Sequence, residues 1–189
     1  MPPVSRFPHT LQIAPESDAR GGHGARCDGN RTFAGVSLQQ ADLRGLDLHG
    51  ISFRDADARG ADFEAANLQG ADFTGALAQG ASFRRARLDG ASFRQALLLS
   101  AHLDYATVNG TSFASANLEW AWIEGVDFQL STVTSALFLN VRGLSESMRR
   151  TIENGGGFTG HRVMILGREL DDVPQIDEQV ERSRNGSHG

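Results

Sequence analysis

Between residues 31 and 140 a large apolar residue returns every five positions, usually with a small residue two places before it. Stepping by five from Phe33 to Phe138 gives 22 such centres with no break in register, and all are apolar. Nine are Phe and eight are Leu; the others are Ala58, Ala78, Val108, Ile123 and Val133. Two places before the centre 15 of the 22 positions are Ala, and two places after it ten are Gly. A period of five belongs to neither helix nor strand. Wound as a helix, steps of five advance by about 140° and scatter the Phe rings round every side. Glycine at so many positions would weaken that helix further. On an extended chain, residues two apart face the same side, so the Ala and the Phe or Leu both point inward. A bend must follow, and Gly suits it because it tolerates positive φ. Each pentapeptide therefore reads as one short extended edge and one corner.

Residues 41–45 (ADLRG), 66–70 (ANLQG) and 71–75 (ADFTG) carry the pattern A-[D/N]-[L/F]-x-G. On these motifs the chain resembles the pentapeptide-repeat family, over residues 31–140. The resemblance implies an all-β fold, a right-handed quadrilateral parallel β-helix with four pentapeptides and so 20 residues per circuit. The repeat then makes about 5.5 turns and, at ~4.8 Å per stacked strand, a rod roughly 26 Å long. Four sides can be checked, because centres 20 residues apart must share a column. Phe33, Phe53, Phe73, Phe93 and Phe113 fall together on the first face, above Val133, as the expected core stack. The second face carries Leu38, Ala58, Ala78, Leu98, Leu118 and Phe138, and is thin at its two alanines. Leu43, Phe63, Phe83, Leu103 and Ile123 form the third, and Leu48, Leu68, Leu88, Val108 and Phe128 the fourth.

Both open ends of such a coil need covering. Residues 141–170 read as the C-terminal cap: Ser145 as N-cap, a helix over about 146–153, a stop at Gly155–Gly157 and a strand at 162–166. Residues 1–30 read as a flexible extension in which Thr10–Ala14 forms an N-cap strand; the tail 171–189 reads as disordered. The net charge of −5 disfavours non-specific binding to nucleic acid or to anionic lipid. One cysteine, Cys27, excludes an intrachain disulfide framework and fits a reducing cytoplasm. No apolar stretch approaches the ~20 residues that span a bilayer, and the N-terminus lacks the roughly 7–15-residue apolar core of a secretory signal. The expected location is the cytoplasm. The alternative is a secreted bacterial effector, because the Ser- and Pro-containing N-terminus resembles the export signals of type III substrates.

A tube filled with Phe and Leu leaves only a convex wall, whereas an enzyme needs a concave, water-excluding site. The chain therefore reads as non-catalytic and without a cofactor. One outward column, Asp42, Asp62, Ser82, His102 and Trp122, sets Asp, Ser and His in axial succession. It reads as a row of solvated polar groups, since Ser and not His is central. The six histidines are scattered and form no metal set. Gly21–Gly24 reads as a linker rather than a phosphate cradle.

Two surface features remain. Leu97 and Leu99 flank Leu98, Leu137 and Leu139 flank Phe138, and Trp120 and Trp122 lie close by; together they form a candidate interaction surface. From Gln95 to Val141 there is no Arg, and Asp104, Glu119, Glu124 and Asp127 form a candidate acidic patch. The broadest functional reading is a protein-interaction scaffold working through its outer surface, with a protein partner or a second copy joined through the C-terminal turns. The resemblance also implies a narrower one, because Qnr-type quinolone-resistance proteins and the mycobacterial gyrase inhibitor imitate duplex DNA and bind topoisomerase. DNA carries about 15 charges over a rod of roughly 26 Å. Residues 31–140 hold 12 acidic residues and 8 Arg, a net of −4, so only the C-terminal end suits such imitation.

Overall fold

The computed structural model describes residues 32–160, and the backbone of Arg162–Ile165 and Arg168–Asp171. The expected strand at Thr10–Ala14, the rest of residues 1–30, Leu166 at the end of the 162–166 strand and the tail beyond Asp171 lie outside the described residues.

From Thr32 the chain coils in four-sided circuits of 20 residues. Each pentapeptide contributes one bridging residue, paired in parallel with those 20 before and 20 after it: Thr32 with Ser52, Ser52 with Asp72, Asp72 with Ser92. Three backbone hydrogen bonds per side run along the coil axis. At Phe53 these are its own N–H to the Asp72 carbonyl (2.7 Å), Asp55 N–H to Thr74 (3.0 Å) and Asp72 N–H to Ile51 (2.9 Å). The corner closes on itself through Ala56 N–H to the Phe53 carbonyl at 3.1 Å. Its third residue takes positive φ at ten glycines and at eleven other residues, as a turn with a left-handed third residue requires.

Leu130 is the exception, although the sequence register is unbroken. Asp127 makes no bridge, and Gly110 N–H reaches the Leu130 carbonyl (3.1 Å), one residue further along than the same bond from Gly90 to Asn109. Twenty residues after Phe128 the chain is already helical, so this side pairs with no further circuit.

Among the 22 centres only Phe33, at the upper end, is half-buried; the others are buried. The rings of Phe53, Phe73, Phe93 and Phe113 lie directly over one another, with successive centroids at 4.5, 4.9 and 5.4 Å and planes within 11° of parallel. Phe63 and Phe83 form a second stack on the opposite face at 5.0 Å. The two stacks meet edge to face across the tube, Phe53 with Phe63 at 5.7 Å and Phe73 with Phe83 at 5.5 Å. This accounts for the thin second face. Ala58 and Ala78 belong to the two circuits in which both opposed faces carry Phe, whereas circuits with Leu or Ile at the third centre carry Leu at the second. Interiors are close-packed, so the space two rings occupy must be given up by a neighbour.

Below the last circuit runs α1, Glu146–Asn154, with Ser145 accepting from Met148 N–H at 3.2 Å and Ile152 buried. The chain then returns under the second face: Ser135 and Phe138 donate to the Gly156 and Phe158 carbonyls, both at 2.7 Å, and Leu137 bridges Phe158. That step is 21 residues, not 20. The approach is close, and a Cβ on Gly157 would meet Ile152 Cγ2 at 2.7 Å. In a separate unit that begins at Gly160, β1 (Arg162–Ile165) and β2 (Arg168–Asp171) pair antiparallel with Val163 opposite Leu170.

Candidate functional site

With the interior filled by side chains, chemistry is left to the wall, and the wall differs along its length. In the upper half the carboxylates are held by cations and amides. Arg44 Nε lies 2.9 Å from Asp42 and 3.6 Å from Asp62; Arg54 reaches Asp72 at 3.0 Å; Arg59 grips Asp57 by two bonds of 2.8 and 2.6 Å. These contacts hold the Asp57 carboxyl well below the ordinary carboxylate range, the Arg59 side chain being the main cause. Partial burial pushes Asp72 upward, but hydrogen bonds from Thr74 and Arg54 outweigh it and the net shift is down. Asp89 behaves likewise: burial is outweighed by Thr107 Oγ1 at 2.7 Å, the Asn109 N–H and amide at 3.1 and 3.0 Å, and Gln69.

In the lower half the wall is aromatic. Trp120 is 55% exposed, Tyr105 51% and Trp122 36%. Trp120 and Tyr105 occupy the third corner position, with φ of +62° and +58°. A bulky side chain is uncommon in that conformation and costs free energy there. The Tyr105 ring lies over Gly125, where an added Cβ would come 2.5 Å from Cδ1, and its hydroxyl donates to Glu124 at 2.8 Å. Trp122 stands in mid-face. His102 stacks above it at 5.2 Å, and the Arg142 guanidinium lies over its ring at 4.5 Å. Trp120, Trp122 and Tyr105 thus run across the third face from corner to corner.

The sequence-derived residues come together only in part. Trp120 and Trp122 share this stripe, while Leu97, Leu99, Leu137 and Leu139 lie along the second face and its corner, each half-buried. The outward column Leu77, Leu97, Asn117, Leu137 continues into Phe158, which is 56% exposed. Asp104, expected on the acidic surface, is 5% exposed: its carboxylate turns in to the Glu124 N–H at 3.4 Å and to His102 Nδ1 at 3.5 Å. Glu124 and Asp127 are exposed and Glu119 is half-buried. The serine–histidine column is an axial ladder, Asp42 to Asp62 to Ser82 to His102 to Trp122, each 20 residues apart and each bridged to the next. Sequence reasoning missed the sandwich on Trp122, though stepping by 20 from it reaches His102 and Arg142. It also missed Phe158, which the 21-residue step hides. Among the described residues no His, Cys, Asp or Glu cluster could hold a metal ion, and no helix is long and apolar enough to cross a membrane.

The sequence matches the pentapeptide repeats family in eight copies, over residues 33–70, 66–98 and 93–129. Among solved structures, a pentapeptide repeat protein from the Arabidopsis thaliana thylakoid lumen is similar at 32% identity and a TM-score of 0.58, over 67% of this chain and 86% of that one. A pentapeptide repeat protein (Rfr23) from the cyanobacterium Cyanothece is similar in fold, with 17% identity and a TM-score of 0.55 over 56% and 86%. QnrB1, a plasmid-mediated fluoroquinolone resistance protein, gives 18% identity and a TM-score of 0.41 over 68% and 79%. No curated protein matches the sequence. A coil of 20-residue circuits, a corner every five residues and the family's own repeat over half the chain make this a member of the pentapeptide-repeat family, with its right-handed β-helix solenoid fold.

Proposed function

We propose that the chain is a non-catalytic interaction scaffold that engages a protein partner through the outer wall of its lower circuits. The observation that carries this reading is the placement of Trp120 and Tyr105, large and half-exposed, at corners where their backbone conformation is disfavoured. Neither ring contributes to the filled interior, and partner surfaces are enriched in Trp and Tyr. The half-buried leucines and Phe158 extend the apolar surface along the neighbouring face. The test is affinity capture with the purified chain, repeated with Leu97→Asp and Trp122→Asp. Loss of the same partner from both variants, with unchanged melting temperature, supports the reading; retention of every partner by both removes it.

The narrower reading, imitation of duplex DNA for a type II topoisomerase, draws support from the arginine-free stretch between Gln95 and Val141. Glu124 and Asp127 are its exposed charges, with Asp104 turned inward. A gyrase supercoiling assay tests it, and a rate unaltered by the protein, with or without a quinolone, removes it.

A further inference from the structure

The third face carries the aromatic stripe, and its backbone limits what can bind there. The Trp120 N–H donates to Leu139, Trp122 to Ala101 and Ile123 to Arg142; the Trp122 and Glu124 carbonyls accept from Leu103 and Tyr105. Every one of these bonds points along the coil axis, between circuits. A peptide laid across this wall cannot add as a strand, because the main-chain groups a strand would use are already engaged. A ligand here must be held by side chains and must itself make no demand for backbone pairing. Polyproline II meets both conditions, having no internal hydrogen bonds and docking on aromatic surfaces.

Charge narrows the ligand further. Glu124 is exposed beside Tyr105, Asp127 lies in the next segment, and no Arg occurs from Gln95 to Val141. Arg142 covers one face of Trp122 from the circuit below and His102 the other from above, so Trp122 offers a ligand its edge, and a cationic side chain of the ligand belongs away from Arg142, by Tyr105 and Glu124. We propose that the stripe Trp120–Trp122–Tyr105 docks a proline-rich, arginine-bearing segment of a partner protein in polyproline II conformation. A proline lies on the Trp120 indole, the segment runs on over the outer edge of Trp122, and one of its arginines reaches Glu124. This rests on the scaffold reading and names the partner class for the same wall.

The chain has two Trp, and both are in the stripe, so intrinsic fluorescence reports directly on occupancy. The full chain is titrated with the synthetic decapeptide PPRPPPRPPP, and in parallel with PPEPPPEPPP and a ten-residue oligothymidylate. The expected result is a saturable change with the arginine peptide alone, at about micromolar to sub-millimolar Kd. Trp120→Ala should weaken it roughly tenfold, as loss of a central aromatic anchor does. Glu124→Gln should weaken it by about threefold, and adding salt should weaken it in wild type but much less in Glu124→Gln. Both substituted side chains are exposed, and unchanged melting curves establish that the variants fold. No response to the arginine peptide, or an equal response to the glutamate peptide or the oligonucleotide, overturns the proposal. If partner capture still depends on Trp122 in that event, this inference falls alone and the scaffold reading stands.

Discussion

The upper and lower halves of the coil share one interior and wear different exteriors. Inside, the phenylalanine column runs through both, Phe53 to Phe73 to Phe93 to Phe113, with parallel rings throughout. Outside, the upper half pairs Asp42, Asp57 and Asp72 with arginines, while the lower half exposes Tyr105, Trp120 and Trp122. Inward positions are fixed by what must stack above and below them. Outward positions are free of that constraint, so the wall can differ wherever function asks. Interior substitutions should therefore cost alike in both halves, and exterior ones should not.

The largest effect is expected in the column. Phe73→Ala and Phe113→Ala should each lose about 3–5 kcal/mol, the usual range for truncating a buried Phe. Chemical denaturation followed by circular dichroism measures both, and a marked difference between the two sites would break the claim of a common interior. A smaller effect tests the volume exchange behind the thin face. Ala78→Leu puts a larger side chain between two rings and should cost about 1–3 kcal/mol. Ala78→Leu combined with Phe83→Leu gives this circuit the composition of the first, Phe33 with Leu38, Leu43 and Leu48, and should recover most of that loss. A double variant no better than the sum of the single ones would show that Ala78 is small for some other reason.

Most of this interior was legible in the sequence because its ruler is covalent. Every circuit spends 20 residues, so counting alone placed Phe53, Phe73 and Phe93 above one another. The wall was legible only where it obeys the same count. Trp122 lies one circuit from His102 and from Arg142, but whether rings and guanidinium stack there depends on rotamers that spacing does not set. Asp104 reads as a surface charge by position and is buried by the turn of its side chain towards Glu124. Where the coil ends, counting fails outright: α1 intervenes, the step to Phe158 becomes 21, and the side of Leu130 pairs with no further circuit.

Acid should act on the held carboxylates of the upper exterior. Asp57, Asp72 and Asp89 have folded-state values below the ordinary carboxylate value. An unfolded chain then binds more protons than the folded one at intermediate pH, so their contribution is full above about pH 4 and is lost as pH falls through the lowered values. A pH series of denaturant midpoints should fall below about pH 4. That fall should be shallower in Asp72→Asn with Asp89→Asn than in the unaltered chain.

The smallest effect sets the two halves against each other at one corner. Gly60 and Trp120 sit in the same column of third corner positions, at φ of +65° and +62°. Gly60→Ala has room for its methyl, with Gln40 Cγ the nearest atom at 3.6 Å, so its cost is backbone conformation alone, about 1 kcal/mol. Trp120→Gly runs the other way: a strained corner relaxes, at the loss of whatever the half-exposed indole buries. If Trp120 is retained for recognition, its removal should leave the coil as stable or about 0.5–1 kcal/mol more stable while partner binding falls. Differential scanning calorimetry with capture on the same preparations reads both quantities. A Trp120→Gly variant that melts several degrees lower and still binds would make the indole a structural element, and would remove the contrast in function between the two walls.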